Sequence, residues 1–252
     1  MISAVVLTKN EENNIKACLE SLKWCDEIVV VDEYSVDKTT KLALKMGAEV
    51  YYNDSGSNFA FQRNFAMHLA KNDWVLFVDA DERITPALRQ EIYNLQFTIY
   101  NGFYLNRKDF FLGKWLNYGE TASVRLLRLV KKGSGEWQRR VHETFRLTQG
   151  KASELKNPIL HYPHPNISEF LESINIHTDL HSQVLFEGGK RTNLFEIIFY
   201  PIGKFCLNYF WRLGFLDGIQ GLIMALMMSL HSFLARAKLY YKLNYKLNEK
   251  NK

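Results

Sequence analysis

Asp79 and Asp81 stand two residues apart, with only Ala80 between them, at the end of the apolar run Trp74 to Asp79. On an extended backbone residues two apart face the same way, so both carboxylates can be presented to one point. Two converging carboxylates at the end of a hydrophobic strand repel each other and are costly unless a cation joins them. Mg²⁺ or Mn²⁺ suits all-oxygen ligands and commonly shares its shell with phosphate groups. The pair therefore points to metal-assisted handling of a phosphorylated compound. A second reading needs no metal: Asp81 or Glu82 begins the helix that Thr85-Pro86 also announces.

Two more polar groups follow apolar runs, Thr8-Lys9-Asn10-Glu11 after Ile2 to Leu7, and Asp32 at the end of Glu27 to Asp32. The elements that must position them alternate between strand and helix patterns. Strands are predicted over Ile2 to Leu7, Glu27 to Asp32, Ala48 to Tyr52 and Trp74 to Asp79. Helices are predicted over Glu11 to Leu22, Asp37 to Met46 and Phe59 to Ala70, with Gly47 closing the second. Unpatterned apolar strands alternating with helices imply an α/β fold, a doubly wound and mainly parallel sheet with helices on both faces. Ligands of such sheets bind beyond the carboxyl ends of the strands, where these polar groups lie.

After about Asn101 the texture changes. Gly102 to Arg107 and Ala122 to Val130 read as arginine-bearing strands, separated by the aromatic residues Phe110, Phe111, Trp115 and Tyr118. From Asn166 the pattern is helical, so residues 1–165 are expected to form the α/β domain and 166–252 a helical extension. Ile219 to Leu234 is strongly apolar but broken by Gln220, Ser229 and His231, short of the roughly 20 apolar residues of a spanning helix. A helix lying in a membrane interface, or packed on a partner, is expected instead.

The composition, 47% hydrophobic over 252 residues, allows a sizeable core and excludes a disordered chain. Cys18, Cys25 and Cys206 have no CxxC spacing and no even framework, which favours a reducing compartment. The start, Met1-Ile2-Ser3-Ala4-Val5-Val6, reads as a strand and not as a secretory signal. Arg236 to Lys252 holds six basic residues against Glu249 alone, enough to account for the formal +5 of the whole chain. A basic tail behind an apolar stretch suits an anionic membrane surface better than nucleic acid; the plainer reading is a solvated helix end.

Four stretches in order resemble family 2 glycosyltransferases of GT-A fold: Val5 to Glu12 (VVLTKNEE), Glu27 to Asp32 (EIVVVD), Gln62 to Ala66 (QRNFA) and Trp74 to Glu82 (WVLFVDADE). Phe111 to Trp115, Val141-His142-Glu143, His161-Tyr162-Pro163 and Gly214 to Gly221 are similar to the subgroup that includes lipopolysaccharide core β-1,4-glucosyltransferases. The resemblance implies that Thr8, Asn10 and Glu11 hold the nucleoside, with Asp32 on the base or ribose. It implies Arg63 on the diphosphate or sugar, Asp79 on ribose or sugar, and Asp81 on Mg²⁺ or Mn²⁺. Family members usually carry small residues after the second-strand Asp, whereas Glu33 and Tyr34 intervene here before Ser35 and Asp37.

Inverting transfer needs a base for the acceptor hydroxyl, and Glu143 is the candidate. His161 is a candidate further metal ligand, and Trp115, Arg125 and His142 are candidates for acceptor binding. They belong with an aromatic and basic set (Arg107, Lys108, Tyr118, Arg128) that suits a phosphorylated, sugar-rich acceptor. The same set also reads as a loop packed over the sheet with its arginines in solvent. Expected partners are a UDP-sugar, UDP-glucose foremost, a lipid-linked glycan such as an inner-core heptose, and an anionic membrane, with no nucleic acid. The expected location is peripheral, on the cytoplasmic face of a bacterial inner membrane. A nucleotidyltransferase would want a Gly-rich basic loop after the first strand, which Thr8-Lys9-Asn10-Glu11 is not. A non-catalytic membrane-binding descendant of the fold is the third class, against which the intact Asp79/Asp81 pair counts.

Overall fold

The computed structural model describes residues 1–56, 58–95, 99–140 and 143–249. The chain forms two compact units: Met1–Lys108 with Val124–Tyr162, and Asp109–Ser123 with Pro163–Lys252.

The first unit opens with β1 (Ile2–Thr8), α1 (Ile15–Leu22), β2 (Glu27–Asp32), α2 (Thr39–Lys45), β3 (Glu49–Tyr52), α3 (Phe59–Leu69) and β4 (Trp74–Asp79). It continues through β5 (Glu82–Arg83), α4 (Pro86–Tyr93) and β6 (Gly102–Phe111), which runs on into the second unit. There β7 (Lys114–Trp115) pairs with its far end. Back in the first unit come β8 (Arg125–Lys131), β9 (Gly135–Gln138), β10 (Thr144–Leu147), β11 (Ala152–Glu154) and β12 (Ile159–His161). The sheet order is β3-β2-β1-β4-β8-β6-β12-β5. The first four strands are parallel, as expected of βα alternation, while β8 and β6 join antiparallel. The expected strand from Ala122 starts only at Arg125, because Thr121–Ser123 form a 3₁₀ turn.

Alternate side chains of the strands feed two separate cores. Ala4, Val6, Val30, Leu76 and Val78 pack against Ile15, Leu19 and Leu22 of α1 and Leu88 and Ile92 of α4. Val5, Leu7, Val29, Val31, Val75 and Phe77 pack against Ala66 and Met67 of α3 and against Trp137 and Phe145 of the β9–β10 hairpin. Burial on both faces is why these strands read as continuous apolar runs. Gly47 follows α2 at φ +84°, the left-handed conformation that ends a helix and that only glycine adopts without strain. Thr85 caps α4, its Oγ1 accepting the Leu88 N–H at 3.0 Å with Pro86 in the first turn. Asp81 and Glu82 are therefore not the cap of that helix.

The second unit contains α5 (Ile167–Glu187), α6 (Leu194–Cys206), a π turn over Leu207–Trp211, a 3₁₀ turn over Gly214–Asp217 and α7 (Ile219–Glu249). Its core is Phe111, Leu116, Phe170, Ile174, Met224 and Met227. The Gly214 to Gly221 motif is structural here. A Cβ on Gly221 would lie 1.9 Å from the Gly214 carbonyl oxygen, so the chain can cross itself only with glycine at 221. Buried Asp217 accepts the N–H groups of Asn117 and Tyr118, each at 2.9 Å, and faces Lys114.

The apolar stretch at Ile219 does not stop at Leu234. The segment Ile219–Tyr245, 27 residues that include an 18-residue window of mean hydropathy 1.3, is long and apolar enough by length and composition to cross a membrane. Three of the six basic residues of the C-terminal segment are engaged within the unit. Lys238 reaches Asn175 and Asp179, Lys242 reaches Gln183, and the Arg236 guanidinium lies 3.7 Å from the Tyr200 ring centre.

Candidate active site

The register of the sheet levels the strand ends: Thr8 pairs with Asp32 and Leu7 with Asp79. The loops after β1 and β2 are zipped together above them. Ser35 donates from its backbone N–H and its hydroxyl to the two oxygens of buried Asp32, at 2.7 and 2.5 Å. The Asn10 N–H donates to Ser35 Oγ at 2.7 Å, and Asn10 Oδ1 accepts the Val36 N–H at 2.9 Å. The Glu11 N–H donates to Thr39 Oγ1 at 2.7 Å, and the Glu12 N–H to Asp37 Oδ2 at 3.0 Å. Asn10 and Tyr34 reach these bonds at φ +55° and +53°, an uncommon conformation for residues with a side chain. Glu33 and Tyr34, where the family pattern has small residues, are accommodated sideways. Glu33 takes Lys9 at 3.0 Å and the Ser55 hydroxyl, while Tyr34 stacks on Tyr52 with ring centres 5.7 Å apart.

Asp79 is the hub of the lower layer. Arg63 Nη2 donates to its Oδ1 at 2.8 Å, and Arg128 Nη2 to its Oδ2. Arg63 also gives its Nε to Glu143 Oε1 at 2.9 Å and lies over the Trp137 ring, 4.8 Å from its centre. Arg128 reaches Glu82 Oε1 at 3.3 Å, and Glu82 Oε2 accepts the Asp79 N–H at 2.9 Å. Desolvation works to raise the Asp79 carboxyl, but the Arg128 and Arg63 guanidiniums outweigh it and hold it well below the ordinary carboxylate range. Glu82, wholly buried, is pushed up by its burial. After these bonds Arg63 Nη1, Arg128 Nε, Trp137 Nε1 and Thr8 Oγ1 are buried without a partner among the described residues. Buried polar atoms left open in this way are satisfied by water or by a polar ligand.

Asp81 takes a different partner. Strand pairing of β4 ends at Asp79 and the chain turns at Ala80–Asp81, so the extended geometry that would align the two carboxylates does not continue. Asp81 Oδ2 lies 3.2 Å from Nε2 of His161, which β12 brings alongside β5, and the Asp81 carbonyl accepts the Tyr162 N–H at 2.9 Å. A carboxylate oxygen and an imidazole nitrogen at this spacing fit a divalent cation whose other positions go to water or phosphate. Among the described residues no cluster of three or more His, Cys, Asp or Glu could hold a metal by itself.

Glu11 sits between the layers. Burial raises its carboxyl to about 7, assisted by the charges of Asp81 and Asp79 and opposed by the Asn14 hydrogen bond and Arg83. A folded-state value above the ordinary 4.5 means that this group's contribution to stability is complete below pH 4.5 and is lost as pH rises through 7. In metal-free buffer the urea midpoint is therefore expected to fall between pH 5 and 8, and Glu11→Gln to flatten that slope. An unchanged slope in the variant would exclude Glu11 as its source.

The remaining candidates are dispersed. Arg125 is exposed, pairs with Glu154 at 3.3 Å and lies over Tyr104. Trp115 belongs to the second unit, edge-on to Phe110 with ring centres 5.0 Å apart. His142 lies outside the described residues. Arg128, grouped by sequence with Arg125, is instead buried on Asp79. An arginine inside the apolar run Leu126 to Val130 was the signal, because a buried guanidinium requires a carboxylate.

A parallel sheet with carboxylates and guanidiniums gathered at its strand ends, followed by antiparallel strands, is the frame of a GT-A-like transferase. The chain belongs to glycosyl transferase family 2, which matches residues 3–161. It is similar to the lipopolysaccharide core biosynthesis glycosyltransferase LpsC of Rhizobium meliloti, 29% identical, with 96% of this chain and 92% of that protein covered. An uncharacterised glycosyltransferase of Rickettsia conorii is 27% identical over 94% of this chain and 89% of its own length. Among solved structures, S. aureus TarS 1-349 in complex with UDP aligns over 99% of this chain and 91% of that one, at 18% identity and a TM-score of 0.49.

Proposed function

We propose that this glycosyltransferase moves glucose from UDP-glucose, with inversion, to a heptose of the lipopolysaccharide inner core or to a similar lipid-linked glycan. The site of action is the cytoplasmic face of a bacterial inner membrane. The observation that carries the donor half is the set of open buried polar atoms at the levelled strand ends, Thr8 Oγ1 on β1 and Arg63 Nη1 reaching Asp79 from α3, which a nucleoside diphosphate would satisfy. The name of the Rhizobium meliloti relative supports the acceptor class.

In this reading residues 1–165 carry donor binding and chemistry and 166–252 the helical extension. Thr8, Asn10, Glu11 and Asp32 hold the nucleoside, and Asp79 the ribose or sugar. Arg63, fixed on two sides by Asp79 and Glu143, extends Nη1 to the diphosphate. Mg²⁺ or Mn²⁺ on Asp81 and His161 would supply charge neutralisation to the leaving diphosphate. Glu143, whose Oε1 is taken by Arg63, receives the acceptor hydroxyl proton on Oε2. Arg125 and His142 recognise the phosphorylated, sugar-rich acceptor.

Thermal unfolding against a panel of nucleotide sugars tests the donor. UDP-glucose at about 100 times its dissociation constant is expected to raise Tm by roughly 5–10 °C, and only with Mn²⁺ or Mg²⁺ present. Protection by a purine nucleotide sugar instead would refute the assignment of the base.

A further inference from the structure

The helical unit carries its apolar surface where a soluble protein would hide it. Thirteen large apolar side chains between Leu194 and Ile219 are exposed, among them Phe195 at 66%, Phe210 at 58% and Trp211 at 83%. On α6, positions 194, 195, 198, 199 and 202 fall within an arc of about 140° at 100° per residue. The other side of α6 meets α7, where Pro201 is buried and its carbonyl accepts the Ser229 hydroxyl at 2.8 Å. The helix thus turns a wide apolar face outward, followed by an aromatic π turn ending in Trp211.

We infer that α6 and the two turns after it dock this protein on an anionic lipid surface, lying in the plane of the membrane. Three observations favour lipid over a protein partner. Exposed Lys190 and Arg191 stand just before α6 and complement anionic headgroups, while Lys204 is committed to Glu120 at 2.7 Å. Trp211 and Tyr209 supply amphipathic rings that settle at the headgroup level, while Tyr200 lies on the α7 side against Arg236. At 13 residues α6 is only about 20 Å long, against a hydrocarbon core of about 30 Å, so it lies along the interface and does not span it.

The longer helix α7 is the less suited element despite its length. It packs along α5, which carries Glu169, Glu172, Asp179 and four histidines or amides (Asn175, His177, His181 and Gln183), and Lys238 ion-pairs with Asp179 at 3.0 Å. Insertion of α7 would carry these charges into hydrocarbon or strip the contacts away. The C-terminal lysines are likewise partly committed to α5.

The inference concerns this surface alone and is independent of the donor and acceptor proposed above, which thermal protection reports separately. The full chain is mixed with vesicles of phosphatidylethanolamine and phosphatidylglycerol, and binding is read by sedimentation and by tryptophan emission. Phe195→Ser/Phe199→Ser/Trp211→Ser is expected to weaken binding about tenfold or more, with Tm unchanged because the replaced side chains are exposed. Lys190→Glu/Arg191→Glu is expected to weaken it on these vesicles and not on neutral phosphatidylcholine. Lys246→Ala/Lys250→Ala/Lys252→Ala is expected to bind within about threefold of the parent. Vesicle binding by the serine variant equal to the parent's would overturn the inference. So would a lipid-free dimer of the parent that the serine variant abolishes, since a second copy would then be what covers the face.

Discussion

Asp81→Ala is expected to lower the transfer rate by about 10²–10³-fold at saturating donor and Mn²⁺, the scale on which one preorganised charge-stabilising group acts. Its carboxylate is one of two side chains, with His161, suited to a cation at this strand end. The fold should survive: the Asp81 side chain is partly exposed, outside the Asp79 hub, and its backbone carbonyl bond to Tyr162 remains. Initial rates with the proposed donor, beside a thermal melt, make the comparison. Transfer unchanged with metal present would mean that Asp81 does not hold it.

Arg128→Met makes the opposite kind of damage. The guanidinium lies buried between Asp79 and Glu82, and its removal leaves two carboxylates facing each other with Arg63 as the one cation in direct contact. Breaking a buried pair from one side costs about 3–5 kcal/mol, which for a chain of this size is a Tm loss of roughly 10 °C or more. The exposed Arg125→Met should cost under about 1 kcal/mol. The loss should also depend on pH with a definite sign. Asp79 is held below its ordinary 3.8, so its stabilisation is present above that value and lost as pH falls through the depressed one. In the variant the two carboxylates lose this cation and hold their protons to higher pH, so the deficit is largest near neutrality and narrows in acid, where protonated Asp79 and Glu82 of the variant need no cation. Urea titrations at pH 4 and pH 7.5 measure it, and an equal deficit at both would show that packing, not charge, is what Arg128 contributes.

The gathering of polar residues at the strand ends was legible because sheet geometry is. Strands buried on both faces must be apolar throughout, so the first polar residue after each run marks a strand end, and parallel pairing levels those ends. Thr8, Asp32 and Asp79 come together for that reason. The relation between Asp79 and Asp81 was not legible, since it depends on where strand pairing stops, and a turn at Ala80–Asp81 sends the second carboxylate to His161. Nor was the split between Arg125 and Arg128. Three residues apart on a strand they face opposite ways, and only the carboxylates of β4 and β5 decide which guanidinium is buried. The bonds that tie Ser35 to Asp32 and Asn10 join residues about 25 positions apart, beyond the reach of local pattern. On α7 the extent of the helix is hidden for a similar reason, because Gln220, Ser229 and His231 interrupt its apolar pattern without ending the helix.

Phe111 and Leu116 belong to the excursion that leaves the sheet within β6, yet their buried neighbours are Phe170, Ile174 and Met224, far along the chain. Each contributes on the order of 1.5–3 kcal/mol through a partner encoded after residue 165. The two units are therefore interleaved, not strung end to end. A gene fragment cut after Tyr162 would make every strand of the sheet and still deliver a chain with two uncovered core residues. Recombination could exchange the helical unit only by carrying residues 109–123 along with it.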